Sequence, residues 1–175
     1  MRKLYPYVGP PEIAAAVSMN TLRAAISSHD DIRRWVSESS QLLDATNSIT
    51  ATFVIDADGI LWIADRRSEH IACSRGGRVL SAGEITLTVT DNEIDASYIT
   101  NQSTGYCPQP ASWPAVAAAL DSAGIDHLDD FDVRCEFRRC VCGQINLVKN
   151  EVYECDVCGK NLSHDWNLDE HIPGN

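Results

Sequence analysis

Cys140-Val-Cys142-Gly143 and Cys155-Asp-Val-Cys158-Gly159 set four thiols in two pairs, with twelve residues between Cys142 and Cys155. Paired thiolates at such short spacing form the donor set of a closed tetrahedral metal site, and four sulfurs suit Zn²⁺. Between the pairs, Ile145–Lys149 and Val152–Glu154 flank Asn150-Glu151. That pattern predicts a hairpin that returns the second pair to the first. The glycine after each second cysteine lets the backbone take a positive φ, so that amides can turn toward sulfur. One structural Zn²⁺ held by Cys140, Cys142, Cys155 and Cys158 is therefore expected. Cys135 and His164 are close enough in sequence to replace Cys140 as a ligand.

Two Cys pairs joined by a hairpin resemble a zinc ribbon, and the resemblance covers the C-terminal part of the chain. The first knuckle departs from the ribbon pattern, being Cys-x-Cys where ribbons have Cys-x-x-Cys. A ribbon says how this segment is held together and leaves function open, because ribbons bind nucleic acids, dock proteins or simply staple a fold.

Two further stretches carry groups capable of chemistry. Asp65-Arg-Arg-Ser-Glu-His70-Ile-Ala-Cys73-Ser-Arg-Gly-Gly77 leads to Ala82-Gly83-Glu84, and Asn101-Gln-Ser-Thr-Gly-Tyr106-Cys107-Pro108-Gln-Pro110 follows later. His70 is the acid–base candidate, because imidazole titrates near neutrality. Its plainer reading is a strand-end histidine bonded to Ser68 or Glu69. Tyr106 or Cys107 would assist it in an enzyme. Cys107 precedes a proline and opens no helix, so no helix dipole lowers its pKa. Cys73 and Cys135 read as small buried apolar groups. Arg66, Arg67, Arg75 and Arg78 bracket His70 and can hold a phosphate or carboxylate in a planar fork, or can line a solvated loop. Arg66, Arg67, His70, Ser103 and Tyr106 are the expected ligand-binding set, meeting at one rim of the sheet.

His70, Gly76-Gly77 and Gly83, then an alternating hairpin, then Ser103, Tyr106 and Pro108 resemble a β-rich module. It occurs in plant calmodulin-binding proteins with an IQ motif and in C-terminal domains of bacterial polymorphic toxins. The match spans about residues 65–108. Two serines usually follow the module's histidine, where this chain has Ile71 and Ala72. The module's Ser-Gly-His-Tyr stands here as Ser103-Thr104-Gly105-Tyr106. If those hydroxyls and that second histidine make an active site, this chain has lost part of it.

The elements that must position these groups follow from periodicity. Pro11 opens a predicted helix over Glu12–Ser27 with Ala15, Met19, Leu22 and Ile26 on one stripe. Ser28 and Asp31 form a capping box for a second helix, with Ile32, Trp35, Val36, Leu42 and Leu43 as its apolar face. The period then becomes two: Ile49, Ala51, Phe53 and Ile55 lead into Asp56-Ala-Asp58-Gly59, a plain turn that lacks the remaining ligands of a calcium loop. Ile60–Ile63 completes that hairpin. Ile85, Leu87 and Val89, a turn at Asp91-Asn92, and Ile94, Ala96 and Tyr98 make a second. Ser112 caps a helix carrying Trp113, Val116, Ala117 and Leu120, which ends at Gly124-Ile125. Phe131, Val133, Cys135 and Phe137 line a strand that feeds the ribbon. The predicted class is α+β: a helical pair over 1–45, an antiparallel β-rich domain with one covering helix over 46–138, and the ribbon over 139–175, packed onto the sheet.

The chain of 175 residues is 44 % hydrophobic and 22 % charged, which excludes disorder as its default state. A net charge of −11 argues against a general nucleic-acid binder. Phe131–Asn150 runs the other way, with four cations against two acids, a patch small enough to be a solvated face. Seven cysteines and a start broken by Pro6, Pro10 and Pro11 predict a reducing, cytoplasmic home and no membrane span. The expected function is non-catalytic binding of a protein partner or small anionic ligand, an immunity or accessory role toward a toxin-like partner being one version. The rivals are a small enzyme with His70 as general base, and nucleic-acid binding through the ribbon.

Overall fold

In the computed structural model, residues 2–18 and 20–169 are described. In chain order they form α1 (Pro11–Ala16), β1 (Arg23–Ile26), α2 (His29–Glu38), β2 (Ser48–Asp56), β3 (Leu61–Asp65), α3 (His70–Ser74) and β4 (Val79–Val89). Next come β5 (Ile94–Thr100), a 3₁₀ turn, α4 (Trp113–Ala123), β6 (Glu136–Arg139) and β7 (Ile145–Val148). The class is α+β. A five-stranded antiparallel sheet runs β1-β3-β2-β4-β5, and β6-β7 form a separate ladder.

Alternation along β2 gives the sheet two covered faces. Ile49, Ala51, Phe53 and Ile55 share one core with Ile32 and Trp35 of α2 and with Val116 and Leu120 of α4. Val54 points the other way, into a cluster with Ile71, Cys73, Tyr5 and Tyr106. Both turns expected between strands are present. Asp56 organises the first by accepting from the amides of Asp58 and Ile60 and from the indole of Trp62. Gly124 ends α4 in the left-handed region, and the amides of Gly124 and Ile125 close back on Asp121 and Leu120.

The N-terminal helical pair is corrected. The first helix stops at Ala16, and Arg23–Ile26, read from sequence as its continuation, is instead an edge strand paired with β3. Edge pairing wins over the alanine-rich helical stripe because the strand adds long-range anchors. Arg23 lies 3.7 Å above the Trp62 ring and donates to the Cys73 carbonyl. Met19 of that stripe lies outside the described residues, as do residues 170–175 of the C-terminal module. The second helix begins at its expected cap, with Ser28 accepting from the Asp31 amide, but ends at Glu38. Leu42 is therefore 88 % exposed and belongs to no helical face. Ser112 is also corrected: its hydroxyl pairs with Ser81 and does not cap α4. Val133 points outward, while Phe131, Cys135 and Phe137 are buried. Among the described residues no helix is long and apolar enough to cross a membrane.

Candidate metal centre and neighbouring polar cavity

Two turns bring the thiols together. In the first, the Gly143 amide donates to the Cys140 carbonyl and the Cys140 amide to Gln144. In the second, Gly159 donates to Cys155, and Cys155 to Lys160. The loops have the same design, the first being one residue shorter, so the Cys-x-Cys departure is absorbed by a tighter turn. Gly143 and Gly159 sit at φ +92° and +67°, where a side chain would strain the backbone. The hairpin beyond turns at Asn150 and Glu151, both at positive φ, which suits the twist of its strands.

The four sulfurs lie within 4.8 Å of one another and form a group able to hold one metal ion. Cys140 and Cys158 are 3.5 Å apart, Cys142 and Cys155 3.7 Å. The backbone amides of Cys158 and Val157 lower the Cys155 pKa, while the neighbouring Cys140 and Cys142 thiols raise that of Cys158, so without a cation the cluster shares its protons unevenly. Cys140 and Cys155 are buried and the other two exposed, so the site opens on one side. Cys135 and His164 are not members of the group. Cys135 is buried beside Phe137 and Leu168, and His164 stacks on Tyr153.

A polar cavity of about 240 Å³ lies over the paired residues Thr52 of β2 and Glu84 of β4, lined also by Arg66, Arg67, His70, Gln102 and Thr104 among others. His70 opens α3, and its Nε2 donates to the Gly83 carbonyl at 2.9 Å. A carbonyl can only accept, so the bond fixes the proton on Nε2 and leaves Nδ1 a lone pair. Burial holds the His70 pKa below its ordinary value. The plainer sequence reading placed its bond on Ser68 or Glu69. The partner is the opposite strand, because β4 starts six residues earlier than expected and passes beneath α3. Gly83 permits the close approach of the end of β5, since a Cβ there would sit 1.8 Å from the Thr100 carbonyl oxygen.

The second polar loop divides between the cavity and the core. Gln102 and Thr104 reach the cavity, whereas Ser103, Tyr106 and Cys107 turn inward. Tyr106 is fully buried, its hydroxyl donating to Gly77 and bonding Ser74, and burial pushes it up to about 12. Ser103 accepts from the Tyr106 amide. Cys107 donates to the Thr104 carbonyl, and its thiol is likewise pushed up to about 12. The turn folds inward because Val8 and Gly9 both donate to the Gly105 carbonyl from outside. His70 therefore does not share the cavity with Tyr106 or Cys107. Arg66 and Arg67 are exposed and make no ion pair among the described residues.

Asn101, which opens the second polar stretch, is a buried clamp. Its Nδ2 donates to the carbonyls of Pro108 and Cys135, and its Oδ1 accepts from the Cys135 amide. Two of the four cations of the small basic patch are spent on internal pairs. Arg138 is buried on Glu136 and the His164 carbonyl, and Arg134 pairs with Asp130. Glu84, Gln102 and Thr104 carried no sequence signal beyond proximity to turn residues. Compared with known proteins, the chain matches no family model, no curated protein and no solved structure.

Proposed function

We propose that the protein is a non-catalytic binding protein that docks a protein partner at the His70 cavity, its C-terminal module closed by one structural Zn²⁺. The observation that carries the docking reading is a pair of adjoining depressions. The polar one, about 240 Å³, is smaller than the roughly 300–1,000 Å³ of a typical small-molecule site. It suits a single side chain. Its lining balances Arg66 and Arg67 against Glu69 and Glu84, which favours a peptide surface of mixed charge over a free anion. The second depression shares Arg67, Ser68 and Glu69 and is walled by Ile13 and Val17, giving the polar floor an apolar neighbour. A partner from a toxin system is the version that the resemblance over residues 65–108 implies. The enzyme reading is disfavoured because Tyr106 and Cys107, its expected helpers, are buried with their protons on backbone carbonyls and lie outside the His70 cavity.

Photo-crosslinking from a benzoylphenylalanine at Gln102, in cells that natively make the protein, tests this. A discrete protein adduct is expected, lost in Arg67→Glu and absent from a control probe at Asp58. Equal adducts from both positions would sink the proposal. Saturable binding of inorganic phosphate that disappears in Arg66→Ala/Arg67→Ala would transfer the site to the small-anion reading.

A tetrahedral S₄ metal centre is supported by the sulfur spacing, and zinc is the ion that such paired knuckles commonly hold. A ZnS₄ tetrahedron with bonds of about 2.3 Å has edges of about 3.8 Å, against the 3.5 and 3.7 Å here. Metal binding in such modules is folding energy, on the order of 10–16 kcal/mol in zinc-finger peptides. Elemental analysis of protein purified without chelators should find one zinc per chain, and Cys155→Ala should lose it together with the β6-β7 ladder. Iron in its place, or no metal, would end the assignment.

A further inference from the structure

A second cavity lies between the C-terminal module and the N-terminal segment, and one residue in it lacks a partner. Its volume is about 710 Å³, and its floor is one face of the β6-β7 ladder, where Phe137 and Arg139 stand opposite Leu147 and Ile145. Val8 and Pro10 wall one side, and Val157 of the second knuckle, 69 % exposed, forms part of the rim. Among the described residues no Asp or Glu lines it, in a chain of net charge −11.

Adjacent arginines on β6 meet opposite fates. Arg138, on the far face, bonds Glu136 and the carbonyls of Phe137 and His164. Arg139, on the cavity face, has Nε and Nη2 buried with no hydrogen-bond partner. Its side chain forms no ion pair and no stacking contact among the described residues. Two inaccessible donors on a half-buried guanidinium are costly unless a partner completes them. Cys142, one of the four thiols of the metal group, lines the same cavity, and the Cys107 thiol also lies within the guanidinium's field.

We propose that this cavity binds a small amphipathic carboxylate, its apolar body on Phe137, Ile145 and Leu147, and that Arg139 turns its Nε–Nη2 edge into the cavity to donate to the carboxylate. An arginine edge presents two parallel N–H groups at the spacing of carboxylate oxygens, and the pair is charge-assisted. The volume lies within the range of small-molecule sites. This site is distinct from the His70 cavity, the two meeting only at Thr104.

Decanoate below its micelle concentration is the probe, with decan-1-ol as its uncharged counterpart. In ¹⁵N–¹H spectra of the zinc-loaded protein, decanoate should shift the Arg139 Nε–H resonance saturably, and decan-1-ol should leave it in place. Calorimetric titration should show decanoate bound at least about tenfold more weakly by Arg139→Met, with decan-1-ol affinity unchanged between the two proteins. Equal decanoate affinity in wild type and variant overturns the proposal. So does a variant that loses zinc while binding decanoate normally, which would make Arg139 a counter-ion to the thiolates. If the variant fails to fold, the wild-type spectra decide alone, and an Nε–H signal that decanoate does not move refutes the site.

Discussion

Asn101→Ala should destabilise the protein more than most single substitutions, for reasons countable in the structure. The side chain is fully buried at the end of β5 and makes three hydrogen bonds, at 2.8, 2.8 and 2.7 Å, to Pro108 and to both backbone groups of Cys135. Removing it strands two carbonyls and one amide, each costing about 1–3 kcal/mol when left unpaired in the interior. Water entering the vacated space recovers part of this, so a loss of about 3–5 kcal/mol is expected. That is a large share of a domain stability of about 5–15 kcal/mol. Asn101→Asp is the sharper probe, because its volume is unchanged. The bond from the Cys135 amide survives, but an oxygen now faces two carbonyl oxygens where Nδ2 donated to them. The carboxyl is then forced toward its protonated form, and its folded pKa rises above the unfolded value of about 3.9. A raised carboxyl pKa makes the deficit relative to wild type greatest near neutrality and smaller as pH falls through the folded pKa. Urea unfolding followed by tryptophan fluorescence, with both proteins at each pH, measures it. A cost below about 1 kcal/mol for Asn101→Ala, or an Asn101→Asp deficit that does not change between pH 7 and pH 5, would refute the clamp.

His70, half-buried beside the cavity and bonded through a single nitrogen, has a folded pKa lowered by desolvation below the unfolded 6.5. Below pH 6.5 the unfolded chain therefore binds the extra proton first, and wild-type stability should fall with pH at up to about 1.4 kcal/mol per unit until the folded pKa is passed. His70→Gln should flatten that slope in urea titrations between pH 6.5 and 5, and an identical slope in the variant would contradict the desolvated assignment. The thiols give a second check. Cys73 and Cys107 are pushed up to about 12 and Cys135 is buried, so none should react with maleimide in the native, metal-loaded protein at pH 7.5. All seven should react in denaturant with chelator. Rapid native labelling of Cys107, located by mass spectrometry, would mean that the Ser103–Cys107 turn faces water.

Features set within a few neighbouring residues were legible in the sequence. The two cysteine knuckles, the Asn150-Glu151 turn, the Gly124-Ile125 helix end and the period-two strands each depend on local dihedral preference or on alternation, which short segments encode by themselves. Alternation along β6 would likewise put Phe137 and Arg139 on one face and Arg138 on the other. What lies opposite each face comes from distant chain, and that made one arginine a satisfied core group and left its neighbour facing a cavity. The same limit explains β1, where four residues with helical character became an edge strand because β3 offered a ladder and Trp62 offered a ring to Arg23. It explains the second polar loop as well. Its sequence marks a turn among groups costly to bury, and does not say which side of that turn meets water. Val8 and Gly9, some hundred residues earlier, close over Gly105 from outside. That packing sends Ser103, Tyr106 and Cys107 into the interior and leaves Gln102 and Thr104 beside His70. Burial depends on contacts between remote segments, so tertiary structure decided which polar residues became a site and which became scaffold.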